Sequence, residues 1–167
     1  MNIRNSIELS HFTTLQVGGN AQWFSEPESI LEVDKLLHWA KLKRVSCNLI
    51  GAGSNLLISD SGVEGLTICT KKLLGIKLDK NTGIVEVLAG EAIPNLSRVA
   101  AKNGLHGLEW AVGIPGTIGG SAVMNAGAQG SSISEWIESI KVITQEGLEI
   151  FELKPNDLHF GYRKSVM

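Results

Sequence analysis

The chain has 167 residues and a mass of 17.9 kDa, enough for one well-buried core or two small lobes and too little for a large multidomain assembly. Lys+Arg 15 against Asp+Glu 17 leave a formal net charge of -2, and without a basic run nucleic acid is not an expected partner. With 43% hydrophobic and 19% charged residues the balance is globular, and no apolar stretch reaches the roughly 18 to 20 residues that span a bilayer, so no membrane association is expected.

Met1 to Ser6 turn polar where a signal peptide would carry its apolar core, so export is not expected. Ser25-Glu26-Pro27-Glu28 has the form of a capping box with proline in the first turn, and Ile30, Val33, Leu37 and Ala40 recur at helical spacing; a helix over about 27–42 is predicted. Residues 46–50 read as a short buried strand that runs into Gly51-Ala52-Gly53-Ser54-Asn55, followed by a second β-type run at Leu56-Leu57-Ile58 and a turn at Asp60-Ser61-Gly62. Further strands are predicted at 66–69 and 84–88, and a second helix opens at Pro94 and stops at Asn103-Gly104. Cys47 and Cys69 have no CxxC partner and lie in apolar strand-like runs, which points to buried thiols and a reducing, cytoplasmic location.

From Leu105 to Gly130 glycine and small residues dominate, with Trp110 and Met124 as the large anchors, and no long regular element is expected. Residues 140–144 and 148–151 flank Gln145-Glu146-Gly147 at the spacing of a β-hairpin, and Pro155 to Leu158 reads as a turn. The end at Met167 has neither a closing helix nor a polar tail, so the chain is expected to be the front part of something longer. The elements together give an α+β class.

Glycine is the compositional signal: 19 residues, well above the usual share of about 7%. A Rossmann fingerprint is excluded because Gly51-Ala52-Gly53-Ser54-Asn55-Leu56 lacks the third glycine and no helix follows; a P-loop is excluded because no glycine precedes a Lys-Ser or Lys-Thr pair. Successive N–H groups in a glycine-permitted turn nevertheless form an anion-binding concavity that needs no side-chain charge. Neither glycine loop contains Lys or Arg. Ser54 and Asn55 add donors to the first loop, and Gly113-Ile114-Pro115-Gly116-Thr117-Ile118-Gly119-Gly120-Ser121 offers a second loop with two hydroxyls. Two such loops suit a diphosphate, with Gly53 leaving the phosphates room; they equally suit tight turns between packed strands. His11, His38, His106 and His159 are scattered without metal-pair spacing, so no metal site is expected.

Four stretches resemble one family in order: Phe12-Thr13-Thr14-Leu15-Gln16-Val17-Gly18-Gly19; Ile50-Gly51-Ala52-Gly53-Ser54-Asn55-Leu56-Leu57; Gly107 to Gly120 with Asn125-Ala126-Gly127-Ala128; and Gly161-Tyr162-Arg163-Lys164-Ser165. They are similar to the motifs of UDP-N-acetylenolpyruvoylglucosamine reductase, the flavoenzyme of bacterial peptidoglycan synthesis. Ala52 stands where that family often has glycine, an exchange that a negative φ tolerates.

The resemblance implies a two-lobed α+β FAD-binding fold of the vanillyl-alcohol oxidase and p-cresol methylhydroxylase type, with lobes of about 1–70 and 71–167. It implies non-covalent FAD held by Gly51, Ala52, Gly53, Ser54, Asn55 and Leu56 together with Gly113, Ile114, Pro115, Gly116, Thr117, Gly119, Gly120 and Ser121, and approached by Asn125, Ala126 and Gly127. In that family NADPH reduces FAD, and hydride then passes from flavin N5 to the double bond of UDP-N-acetylglucosamine enolpyruvate, giving UDP-N-acetylmuramate. Tyr162 and Arg163 match the substrate side, with Arg163 the arginine that stabilises enolate charge. On residue type alone Arg163 reads as a solvated or paired surface residue. The family's proton donor and second acid belong to a C-terminal substrate domain expected to be absent here, which leaves two readings: the flavin-binding portion of the reductase, or a flavin-binding fragment without turnover.

Overall fold

The first helix, α1 (Ile30–Lys43), starts four residues later than the Ser25 capping box implies. Ser25 instead ends a strand, where its buried hydroxyl donates to the Asn2 carbonyl at 2.7 Å. The cap is Ser29, whose Oγ accepts from the Glu32 N–H, while the Glu32 carboxylate accepts from the Glu28 N–H at 2.9 Å, so Ser29-Ile30-Leu31-Glu32 carries the serine-to-glutamate spacing that 25–28 only imitates. The helix buries Val33, Leu36, Leu37 and Ala40 along one stripe.

The computed structural model describes residues 1–144 and 149–167, which form two compact units: one built on Met1–Leu73, the other on Leu74–Ile143 and Ile150–Met167. In the first, β1 (Arg4–Glu8), β2 (Asn20–Ser25), β3 (Cys47–Ile50) and β4 (Val63–Cys69) make a sheet of order β1-β2-β4-β3. β1 pairs antiparallel with β2, and β4 lies parallel to both β2 and β3, so the connections through α1 and through residues 51–62 are crossovers. Leu9, Ala21, Phe24, Ile50 and Cys69 close one core, with the Phe12 and Phe24 rings 4.5 Å apart. Complete burial of a side chain such as Phe24 contributes about 1.5–3 kcal/mol.

The predicted strand at 56–58 does not form; those residues make no sheet pairing, and Leu57 is exposed. The second unit contains β5 (Ile76–Leu78) paired with β6 (Val85–Val87), then α2 (Ile93–Lys102), capped by Asn103 and followed by Gly104 at positive φ. A short helix, α3 (Ile118–Val123), interrupts the glycine-rich stretch, and β7 (Gly127–Ala128) pairs with β8 (Ser131–Ser132). β9 (Ile140–Ile143) and β10 (Ile150–Leu153) pair antiparallel, as the hairpin spacing predicts; its loop, Gln145-Glu146-Gly147, lies outside the described residues. Ile93, Trp110, Ala111 and Ile133 form the core here. Among the described residues no helix is long and apolar enough to cross a membrane.

Candidate functional site

Loop 51–55 leaves β3 at Ile50, whose carbonyl accepts from the Thr70 hydroxyl at 3.3 Å. Gly53 is buried and holds φ +68°, and a Cβ there would collide with the Phe12 carbonyl oxygen. Its own carbonyl accepts from the Thr14 N–H at 3.1 Å. The hydrogen face of Gly53 is thus turned onto the backbone of residues 12–14, and the space that the missing side chain frees is filled by protein rather than kept for phosphate. The room that sequence reasoning gave the phosphates at the missing side chain of Gly53 is thus taken by the Phe12 backbone, and the first motif has a task that reasoning missed: it is the shelf under the loop. Thr13, also buried, fixes that shelf by donating its hydroxyl to the Val17 carbonyl at 3.0 Å. Ala52 is absent from the residues at positive φ, so its methyl is tolerated. Among the described residues nothing accepts from the N–H groups of Ala52, Gly53 or Asn55; Ser54 and Leu56 are half-buried and Asn55 is exposed.

The second loop divides into a part occupied by the protein itself and a part left open. The N–H groups of Ile114, Ile118, Gly119 and Ser121 donate to the carbonyls of Ala111, Glu91, Ala89 and Thr117, and Gly120 donates to the Thr117 hydroxyl. Thr117 is buried as the cap of α3, and a Cβ on Gly119 would press on Ala89 at 2.9 Å; Ser121 is buried as well. Gly119, Gly120, Thr117 and Ser121 therefore build the loop through their own hydrogen bonds and close packing. Gly113 is exposed, with nothing within 4 Å of its would-be Cβ, and among the described residues nothing accepts from the N–H groups of Gly113, Gly116 or Thr117. Pro115 is exposed between them.

The third and fourth motifs meet within the second unit. Gly161 and Lys164 exchange backbone hydrogen bonds of 3.0 and 3.3 Å, forming a tight turn with Tyr162 and Arg163 at its tip, and Arg163 takes φ +54°. Three side-chain bonds tie this turn to alternate residues of the segment after α3. Ser165 Oγ donates to the Val123 carbonyl at 2.9 Å, Asn125 Nδ2 to the Gly161 carbonyl at 3.0 Å, and Arg163 Nη2 to the Gly127 carbonyl at 3.2 Å. Ala126 is buried beneath, its N–H donating to the Ser121 carbonyl. The Arg163 guanidinium lies 5.5 Å from the centroid of the Tyr162 ring, which is 91% exposed, and both side chains are open to solvent. A carbonyl takes up one arm of the fork without neutralising it, so the positive charge and the remaining donors stay available to an anion.

Other sequence candidates lie elsewhere. His106 stacks edge-on to Trp136 with ring centroids 6.1 Å apart, and no cluster of three His, Cys, Asp or Glu among the described residues could hold a metal ion. Cys69 is buried as expected but Cys47 is only half-buried; both are free thiols, and burial pushes both above the usual thiol range. The Glu109 carboxyl, which accepts from its own N–H and that of Gly107, is held below the ordinary carboxylate range.

A sequence-family model described as FAD binding domain matches residues 21–152. The chain is 55% identical over 161 residues to the UDP-N-acetylenolpyruvoylglucosamine reductase of Prochlorococcus marinus strain MIT 9313, a match covering 96% of this chain and 52% of that protein. The crystal structure of UDP-N-acetylenolpyruvylglucosamine reductase (MurB) from Thermus caldophilus superposes with a TM-score of 0.82 at 31% identity, covering 99% of this chain and 58% of that one. The 6-hydroxy-D-nicotine oxidase of Arthrobacter nicotinovorans, at 16% identity and a TM-score of 0.64 over 82% of this chain and 31% of its own, shares the fold alone. The chain thus spans about half the length of the curated relatives it matches.

Fold and loops together define a flavin-binding domain of the vanillyl-alcohol oxidase type. The chain belongs to the FAD binding domain family. The resemblance carried by the four motifs is found over nearly the whole chain.

Proposed function

We propose that this chain is the flavin-binding portion of an NADPH-dependent reductase that converts UDP-N-acetylglucosamine enolpyruvate to UDP-N-acetylmuramate in the cytoplasm. The observation that carries this reading is the tie between the Tyr162-Arg163 turn and residues 123–127, which sets a charged, solvent-facing guanidinium on the carbonyl of Gly127. FAD fits the residues present: both loops hold N–H groups with no acceptor among the described residues, and neither carries an acidic side chain to repel a diphosphate.

In this reading each loop by itself would offer backbone donors to FAD: Ala52, Gly53 and Asn55 in the first, and Gly113, Gly116 and Thr117 in the second. Bound FAD supplies two-electron redox chemistry between NADPH and the substrate. The free donors of Arg163 hold the substrate's carboxylate and stabilise the negative charge that hydride addition places beside it. Tyr162 supports that guanidinium from one face. Nothing in residues 1–167 is assigned to protonate the enolate, and general acid catalysis contributes about 10²- to 10⁴-fold in rate. A polypeptide of these residues alone is therefore expected to bind FAD without completing turnover. The test is NADPH oxidation with and without the enolpyruvyl substrate, the product being identified by mass. UDP-N-acetylmuramate formed by this polypeptide at about 1 s⁻¹ or faster would contradict the division of labour.

A further inference from the structure

We propose that Asn125 is a positioning residue for Arg163, a two-ended clamp that fixes the Tyr-Arg turn, and that its side chain is no ligand of the cofactor. The proposal deepens the reading of Arg163 given above and depends on it for its functional consequence. Both polar atoms of the Asn125 side chain are engaged inside the protein: Nδ2 donates to the Gly161 carbonyl at 3.0 Å, and Oδ1 accepts from the Ser134 N–H at 3.3 Å. One side chain therefore bridges the segment opening at Ser134 and the turn at 161–164.

The Gly161 carbonyl is also the acceptor that closes that turn, receiving the Lys164 N–H at 3.3 Å, so Asn125 grips the turn at its first residue. The backbone favours this residue type. Asn125 sits at φ +41°, a left-handed conformation that Asn reaches more readily than most residues. From there its side chain joins Ser165 Oγ, bound to the Val123 carbonyl, and Arg163 Nη2, bound to the Gly127 carbonyl. Arg163 itself is at φ +54° and exposed, and among the described residues only that single bond to Gly127 orients its guanidinium on the protein's polar groups. Removing the clamp leaves the arginine's charge in place and frees the backbone that aims it. The expected cost falls on carboxylate binding by Arg163, with cofactor affinity unchanged.

Two variants isolate the clamp. Asn125→Gly removes both bonds yet tolerates the positive φ. Asn125→Asp keeps an oxygen for the Ser134 N–H but sets a carboxylate oxygen against the Gly161 carbonyl. In the full chain, amide exchange at Gly161 and Lys164 is expected to rise by about tenfold in both variants, with exchange in the Leu9–Phe24 core unchanged. Ser165→Ala should give a smaller rise at the same amides. FAD affinity should stay within about twofold of the parent, while binding of the enolpyruvyl substrate to the FAD-loaded protein, read from the flavin absorbance, should weaken by about tenfold. That weakening should nearly vanish in an Arg163→Ala background, because a positioning residue has nothing left to position. A tenfold loss of FAD affinity with unchanged exchange at 161 and 164 would overturn the proposal and make Asn125 a cofactor ligand. Equal weakening with and without Arg163 would overturn it too. If the parent bound no FAD, the proposed function would fall, and the exchange data would still decide whether Asn125 holds the turn.

Discussion

Loops 51–55 and 113–121 look alike as sequence and differ as structure. In the first, the central glycine exists because backbone lies on backbone: Gly53 combines a left-handed φ with a neighbour, the Phe12 carbonyl, where its side chain would be. In the second, Gly113 has open space on that side, and the protein's own demands fall further along, on Gly119 against Ala89. A glycine-rich loop can thus be glycine-rich for the fold or for the ligand. The two reasons are separable by what a methyl group would meet.

The largest expected effect breaks the comparison on its structural side. Gly53→Val should destabilise the fold by about 3 kcal/mol or more, because it adds left-handed strain and a collision with main chain that cannot swing away. Thermal unfolding with and without FAD checks this, since a Tm near the parent's in the absence of cofactor would mean that Gly53 serves only the ligand. Gly113→Ala is the counterpart: folding stability should move by less than about 1 kcal/mol, and FAD affinity should fall by about tenfold if that backbone touches the cofactor. An unchanged FAD dissociation constant would remove Gly113 from the site.

Arg163→Lys should lower kcat of the complete reductase by about 10²- to 10³-fold and leave FAD binding intact, because lysine offers a point charge where a fork is required. Steady-state kinetics beside FAD titration separates the two. Gly107→Ala should cost about 1–2 kcal/mol: Gly107 has φ +106° and the Trp136 ring occupies its Cβ position, but that ring is half-exposed and can move. A red shift in tryptophan emission would report its displacement. The smallest effect is a gain, since Thr67 Oγ1 is fully buried without a partner among the described residues, and Thr67→Val should raise stability by up to about 1 kcal/mol in a denaturant titration.

What could be read in advance follows the range of the interaction. α2 was legible because its opening proline, apolar spacing and glycine stop are all local, and β3, β4 and the β9–β10 pair were legible from short apolar runs. Arg4–Glu8 went unread as a strand because only Ile7 in it is apolar and Ser6 breaks its regularity at φ +51°. Leu56-Leu57-Ile58 was over-read: hydrophobicity suggested a strand, but Ile58 is used instead against Gly18, in contact with the first motif. The four motifs marked the site, yet local sequence could not say that residues 12–14 would support residue 53, or that Asn125 would reach Gly161 across 36 positions. Those contacts are products of the fold.

Equilibrium titration of the purified protein with FAD, followed by acid precipitation, tests backbone-held flavin binding most directly. Saturable one-to-one binding is expected, with all the flavin released into the acid supernatant. A protein that leaves FAD fluorescence unchanged at every concentration, or that keeps the flavin in the precipitate, would contradict non-covalent flavin binding.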